Sequence, residues 1–189
     1  MPQTKCELRV GRREVALALG SNMHGPWGSP EQSLIFALQS LCQAGLKVKS
    51  VSGIYRTQPV GGMRQAQYLN AVVIVELSMG LGSLLRLLKR LERAAGRRSG
   101  RHWGPRPLDL DIIDAGVRLG RQARGRRPAG RLILPHPEMH LRAFVLVPLA
   151  EIAPHWRHAG LGRSIQQLLQ ARRVQNQKRG VHRVGPLRW

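Results

Sequence analysis

The chain is expected to fold as an α+β protein, with a mainly antiparallel sheet and helices packed on its faces. Three observations carry this. Asn70-Ala-Val-Val-Ile-Val-Glu-Leu77 is β-branched almost throughout, the composition of a strand. Two stretches, one from Ser29 or Pro30 and one over Leu81–Ala95, place apolar residues at helical spacing and stop at Gly45 and Gly96. Around them the strand-like runs fall in the order strand–helix–strand–strand–helix–strand. This βαββαβ arrangement favours a sheet of antiparallel strands with helices laid against it.

In chain order, Val15-Ala-Leu-Ala-Leu19 is a short apolar run that stops at Gly20-Ser21-Asn22, a buried strand ending in a turn. The first helix presents Leu34, Ile35, Leu38, Leu41 and Cys42 on one face. Lys47 to Tyr55 returns as a strand. Arg56 to Leu69 is too long for a tight hairpin and combines Gly61 and Gly62 with polar Thr57, Gln58, Gln65, Gln67 and Tyr68, a composition suited to a binding loop. In the second helix Leu84, Leu85, Leu88 and Leu91 oppose Arg86, Lys89, Arg90 and Arg93, and Glu92 is its only acid. Gly116 to Gly130 is a basic excursion without hydrophobic period, followed by a short strand at Arg131–Leu134 and by Pro135-His136-Pro137. Glu138–Ile152 and Ser164–Val174 read as helices. The expected organisation is a basic extension over residues 1–14, one domain over 15–175, and a basic, weakly ordered tail over 176–189.

The stretch that promises chemistry is Trp103-Gly104-Pro105-Arg106-Pro107-Leu108-Asp109-Leu110-Asp111-Ile112. The chain has only three aspartates, Asp109, Asp111 and Asp114, and all fall within six positions. Leu108, Leu110 and Ile112 alternate with Asp109 and Asp111, so on a strand the leucines enter a core while both carboxylates share the other face. Like charges held that close repel unless a cation lies between them. A hard divalent ion suits the place, because Mg²⁺ takes one or two carboxylates together with substrate phosphates. The rigid Trp-Gly-Pro-Arg turn aims a guanidinium at the same point, and Arg is fitted to bidentate phosphate contact.

Composition bounds the alternatives. Hydrophobic content is 42%, so the charge is added to a folding sequence. The formal net charge is +21, which would attract any polyanion. Of the 31 Lys and Arg, eight lie in Arg86–Arg106, six in Arg118–Arg131 and eight in Arg157–Arg188. The first cluster leads straight into the aspartate strand, as a triphosphate channel would. Cys6 and Cys42 have no metal-binding spacing and are expected as reduced thiols. Residues 1–14 are polar and basic, and no apolar run approaches the ~20 residues that span a bilayer. A cytoplasmic protein with no membrane contact is expected.

Seven pieces then appear in a telling order: Gly20-Ser21-Asn22; Tyr55-Arg56-Thr57-Gln58-Pro59; Tyr68-Leu69-Asn70; Glu92 with Gly96-Arg97; Trp103-Gly104-Pro105-Arg106 with Leu108-Asp109-Leu110-Asp111; Pro135-His136-Pro137; and Arg142 with Phe144. Over roughly Val15–Pro154 the chain resembles the 6-hydroxymethyl-7,8-dihydropterin pyrophosphokinases of folate biosynthesis. The resemblance implies a ferredoxin-like fold and transfer of pyrophosphate from MgATP to the hydroxymethyl group of the dihydropterin, releasing AMP. It implies that Asp109 and Asp111 hold two Mg²⁺ ions. Tyr68 and Phe144 would sandwich the pterin, with Thr57, Val60 and Asn70 around it. Arg97, Arg101, Arg106, Arg131, His136 and Arg142 would face ATP, with Glu92, Trp103 and Ile112 lining that site.

The chain departs from the family pattern at Ser99, where the family more often has an arginine, and at Lys89, where it has a glutamine. The expected partners are the two small substrates, with a monomer sufficing and no specific nucleic acid partner; weak, sequence-blind polyanion binding would follow from the charge. Two other readings compete: a basic nucleic-acid-binding protein, which the 4% aromatic content and the aspartate cluster oppose, and a relic that binds nucleotide or pterin without turnover.

Overall fold

The structure, a computed structural model, describes residues 13–59, 65–98, 104–120 and 132–189. Its elements are β1 (Arg13–Ser21), α1 (Pro30–Gln43), β2 (Lys47–Val51), β3 (Gly53–Thr57), β4 (Tyr68–Leu77), α2 (Leu81–Ala94), β5 (Asp109–Asp114), α3 (Ala143–Ile152), α4 (Ile165–Leu169), α5 (Arg172–Lys178) and β6 (Val181–Pro186), with a 3₁₀ turn at Met139–Leu141 before α3. The sheet runs β5-β1-β4-β3-β6, with β2 also on β4, and every pairing is antiparallel. The expected α+β fold is present. β1 and β4 lie at its centre because their runs are apolar on both faces, and nearly every residue of Ala16–Leu19 and Ala71–Val75 is buried.

The sheet separates two cores. Leu17, Leu19, Ala71, Val73, Val75, Leu110 and Ile112 point to the face covered by α1 and α2. Ala16, Val72, Ile74 and Ile113 point to the face covered by α3, α4 and α5. Period-two alternation sorts the side chains, so the neighbours of Val72 and Ile113 at even steps along β4 and β5 share their face. α1 starts at Ser29, whose Oγ accepts from Gln32 N while Gln32 Oε1 accepts from Ser29 N, a reciprocal cap. Gly45 and Gly96, at φ 86° and 93°, turn the chain away after α1 and α2.

Several elements differ from the sequence reading. The strand expected over Lys47–Tyr55 is two strands, since Ser52 Oγ accepts from Val72 N and donates to Gly53 O, replacing part of the ladder. The strand at Arg131–Leu134 reduces, among the described residues, to a single bridge between Leu119 and Leu134. Pro135 and Pro137 carry no N–H with which to extend it. The helix over Glu138–Ile152 breaks at Arg142, which is extended at φ −112°, ψ 105°, and Ser164–Val174 is two short helices. The largest correction concerns residues 176–189. They are not a weakly ordered tail: Val181–Pro186 forms the edge strand on β3. Glu151 of α3 fixes that edge, its Oε2 accepting from Gly53 N and Tyr55 Oη and its Oε1 from Arg183 Nε.

Candidate active site

The strand register lines up polar residues across one end of the sheet, on the α3 face. Thr57 pairs with Tyr68, Tyr55 with Asn70, Asn70 with Gly20, Gly20 with Asp109, and Ala18 with Asp111. Asn70 Nδ2 donates to Thr57 Oγ1 at 2.8 Å, and both residues are buried. Tyr68 Oη donates to Gly104 O at 3.1 Å, and burial pushes its hydroxyl above the ordinary tyrosine range. Gly20 is where the two halves of the row meet. A Cβ there would lie 3.3 Å from Asn70 Oδ1 and 3.9 Å from both Asp109 Cβ and Tyr68 Cδ1. The missing side chain lets the amide, the ring and the carboxylate converge on bare backbone.

Asp109 is held by arginines. Arg106 Nη1 donates to Asp109 Oδ1 and Oδ2 at 2.8 and 2.9 Å, and Arg97 Nη1 donates to Oδ1 at 2.6 Å. Each of these three side chains is about one quarter exposed, between core and solvent. Burial works against the charge on Arg106, yet Asp109 and Asp111 more than offset it, and its pKa rises. The turn before β5 is itself anchored: Arg106 N donates to Asn22 Oδ1, Asn22 N donates to Arg106 O, and Ser21 Oγ donates to Pro107 O. Asn22 Nδ2 reaches across to Gln65 Oε1 and Ala66 O. One buried amide thus ties the Arg106 turn to the loop that enters β4.

On the same face, the segment leading into α3 carries His136, whose N donates to Ile113 O at 2.7 Å and whose Nδ1 accepts from Glu138 N. Arg142 pairs with Glu138 and lies over the Phe144 ring, 5.6 Å from its centroid. The structure therefore brings Thr57, Asn70, Tyr68, Asp109, Asp111, Arg97 and Arg106 to one end of the sheet, with His136, Arg142 and Phe144 on the helical layer of that face. Val60, Arg101, Trp103 and Arg131 lie outside the described residues.

The model of the 7,8-dihydro-6-hydroxymethylpterin-pyrophosphokinase (HPPK) family matches residues 16–154. The 2-amino-4-hydroxy-6-hydroxymethyldihydropteridine pyrophosphokinase of Synechocystis is 40% identical over 82% of this chain and 73% of its own. That of Bacillus subtilis is 39% identical over 87% and 92%. The chain belongs to the HPPK family. A mitochondrial folate synthesis bifunctional protein of Arabidopsis thaliana is 37% identical over 79% of this chain and 25% of its own length. In solved structures, a Plasmodium falciparum HPPK-DHPS chain aligns with TM-score 0.66 at 14% identity, over 91% of this chain and 46% of that one. The chain spans a quarter of that bifunctional protein and about half of the HPPK-DHPS chain, and the structural likeness supports the HPPK fold.

Two of the residues expected to line the nucleotide site, Glu92 and Ile112, have buried side chains. Glu92 is a brace under the site: its side chain is 3% exposed, pairs with Lys89 and Arg97, and its Oε1 accepts from Leu110 N at 2.9 Å. Burial raises its carboxyl above the ordinary range, against the opposing pull of Lys89, the Leu110 N–H and Arg97. Ile112 is 4% exposed in the core beneath α2, on the face opposite the aspartates. Sequence reasoning also gave Gly20, Ser21 and Asn22 no role. Their signal was present, a Gly-Ser-Asn turn closing an apolar strand, but only the register shows that it abuts Asp109 and Arg106.

Proposed function

We propose that Asp109 and Asp111 are the metal-binding pair of an ATP-dependent pyrophosphokinase, with the pterin on the Thr57–Asn70–Tyr68 side and the nucleotide on the arginine side. Membership of the HPPK family makes the chain a pyrophosphokinase acting on 6-hydroxymethyl-7,8-dihydropterin in folate synthesis. The observation that carries the residue-level reading is the row itself, in which Gly20 stands between Asn70 and Asp109 with no side chain to part them.

Two carboxylates on one strand face, with no third acid, histidine or cysteine grouped with them among the described residues, suit Mg²⁺ better than zinc. Bound with the nucleotide, such ions would neutralise phosphate charge and ease loss of the attacking hydroxyl's proton. The chain's own groups do the rest. Arg97 and Arg106 hold Asp109, and phosphate oxygens offer the same guanidinium groups bidentate contact. Tyr68 and Phe144 offer flat apolar faces, and Thr57 and Asn70 offer neutral hydrogen-bonding groups, for a planar heterocycle. The pterin hydroxyl attacks the β-phosphorus, the bridge to the α-phosphate breaks, AMP leaves, and the proton passes to solvent. The rate comes from positioning and charge.

The test is nucleotide release from the purified protein given ATP, Mg²⁺ and the hydroxymethyl dihydropterin. AMP should appear only with all three, and Asp109→Ala should lower its rate by about a thousandfold or more while pterin affinity stays within severalfold. ADP as product would show an ordinary kinase and overturn the reading.

A further inference from the structure

The residues after Pro154 lie beyond the family match, yet the structure folds them against the groups assigned to the pterin. Gln177 of α5 reaches the first turn of α3, where its Oε1 accepts from Ala143 N at 3.2 Å. That N–H is one of the donors a helix start leaves without an intrahelical partner, and Ala143 immediately precedes Phe144. α3 has no side-chain cap from Arg142, its own N-cap residue, so Gln177 supplies from α5 what the local sequence does not. Beneath the same turn Val174 is fully buried in the core that contains Ala143 and against which Phe144 packs. Three residues after the end of α5, Val181 opens β6 directly opposite Thr57 and packs on that same core.

From these placements we infer that the carboxy-terminal segment, α5 and the start of β6, is the outer wall of the pterin site, with Gln177 the positioning residue for Phe144. The inference rests on the pterin reading of Thr57, Tyr68 and Phe144 given above. It makes the segment a determinant of pterin affinity, distinct from the arginine side that meets the nucleotide. Gln177 is exposed, so its substitution leaves the fold's core untouched.

The experiment compares full-length wild type, Gln177→Ala and Gln177→Glu for steady-state constants with both substrates. Equilibrium pterin binding is read by tryptophan fluorescence with a non-hydrolysable ATP analogue present. Gln177→Ala should raise the pterin KM and Kd about three- to tenfold, the scale of losing one helix-cap bond. The ATP KM and kcat should stay within about twofold. Gln177→Glu, which keeps an acceptor oxygen, should restore the pterin values. Unchanged pterin constants in Gln177→Ala would overturn the inference, as would equal rises for both substrates that Gln177→Glu does not rescue. A wild type that neither binds the pterin nor releases AMP would overturn the proposed function itself, an outcome distinct from both.

Discussion

At Gly20 the absence of a side chain decides what its three neighbours can do. The position is ordinary strand, so a methyl group would add no backbone strain; it would meet Asn70 Oδ1 at 3.3 Å and touch Tyr68 and Asp109. Gly20→Ala should therefore fold with an unfolding free energy within about 1 kcal/mol of wild type, yet raise the pterin KM about tenfold, measured by urea unfolding beside steady-state kinetics. An unchanged KM would remove Gly20 from the site. The aspartates themselves were legible in the sequence, because a period of two leaves no other way to bury Leu108, Leu110 and Ile112 together. Which cation meets Asp109 was only half legible. Arg106 lies three residues away and was expected; Arg97 arrives from the turn after α2, and Glu92 beneath it from that helix.

Among the elements, the join between β5 and the chain after α3 holds two buried titratable groups side by side, Asp114 and His158. Asp114 closes β5 fully buried, its Oδ1 accepting from Gly116 N and its Oδ2 from Ala159 N. Beside it His158 Nδ1 accepts from Gly160 N and Leu161 N, so the ring is neutral with its hydrogen on Nε2. The His140 ring stands edge-on at 5.7 Å, linking this loop to the turn that leads into α3. Burial lowers the His158 pKa below its ordinary 6.5, with His140 and Arg118 adding to the effect and Asp114 opposing it. A histidine lowered on folding binds fewer protons folded than unfolded. Its contribution is therefore complete above pH 6.5 and is lost as pH falls towards the folded value. Stability should decline below pH 6.5 by at most about 1.4 kcal/mol per pH unit from this group. His158→Asn, whose Oδ1 can accept in place of Nδ1, should flatten that part of the curve. Urea midpoints between pH 5 and 7.5 check it.

For the whole molecule, the net charge of +21 is concentrated where it can act at a distance. Residues 152–189 contain eight Lys and Arg and no carboxylate side chain, and Arg172, Arg173, Arg179, Arg183 and Arg188 are all exposed. Such a field draws in a nucleotide triphosphate and leaves an uncharged pterin alone. Raising salt from 50 to 300 mM should raise the ATP KM severalfold while the pterin KM moves by less than about twofold. Any retention on RNA should fall steeply over the same range. No helix among the described residues is long and apolar enough to cross a membrane.

The sequence by itself determined the βαββαβ order, the two amphipathic helices and the strand that presents Asp109 beside Asp111, because these follow from periodicities a few residues long. It also carried enough ordered motifs to place the chain in its family. Tertiary structure alone decided what depends on contacts between distant residues. Ser52 splits a strand by bonding to Val72, Asn22 binds the Arg106 turn to the loop at Gln65, and Glu92 sinks beneath Arg97. The clearest case is the end of the chain. Val181–Pro186 is basic and short, with nothing in its own pattern to mark a strand, and it becomes an edge strand only because β3 offers a free edge and Glu151 offers Arg183 a carboxylate. Local pattern fixes what a segment can become; the open edge of a sheet, formed by residues more than a hundred positions earlier, decides what it does become.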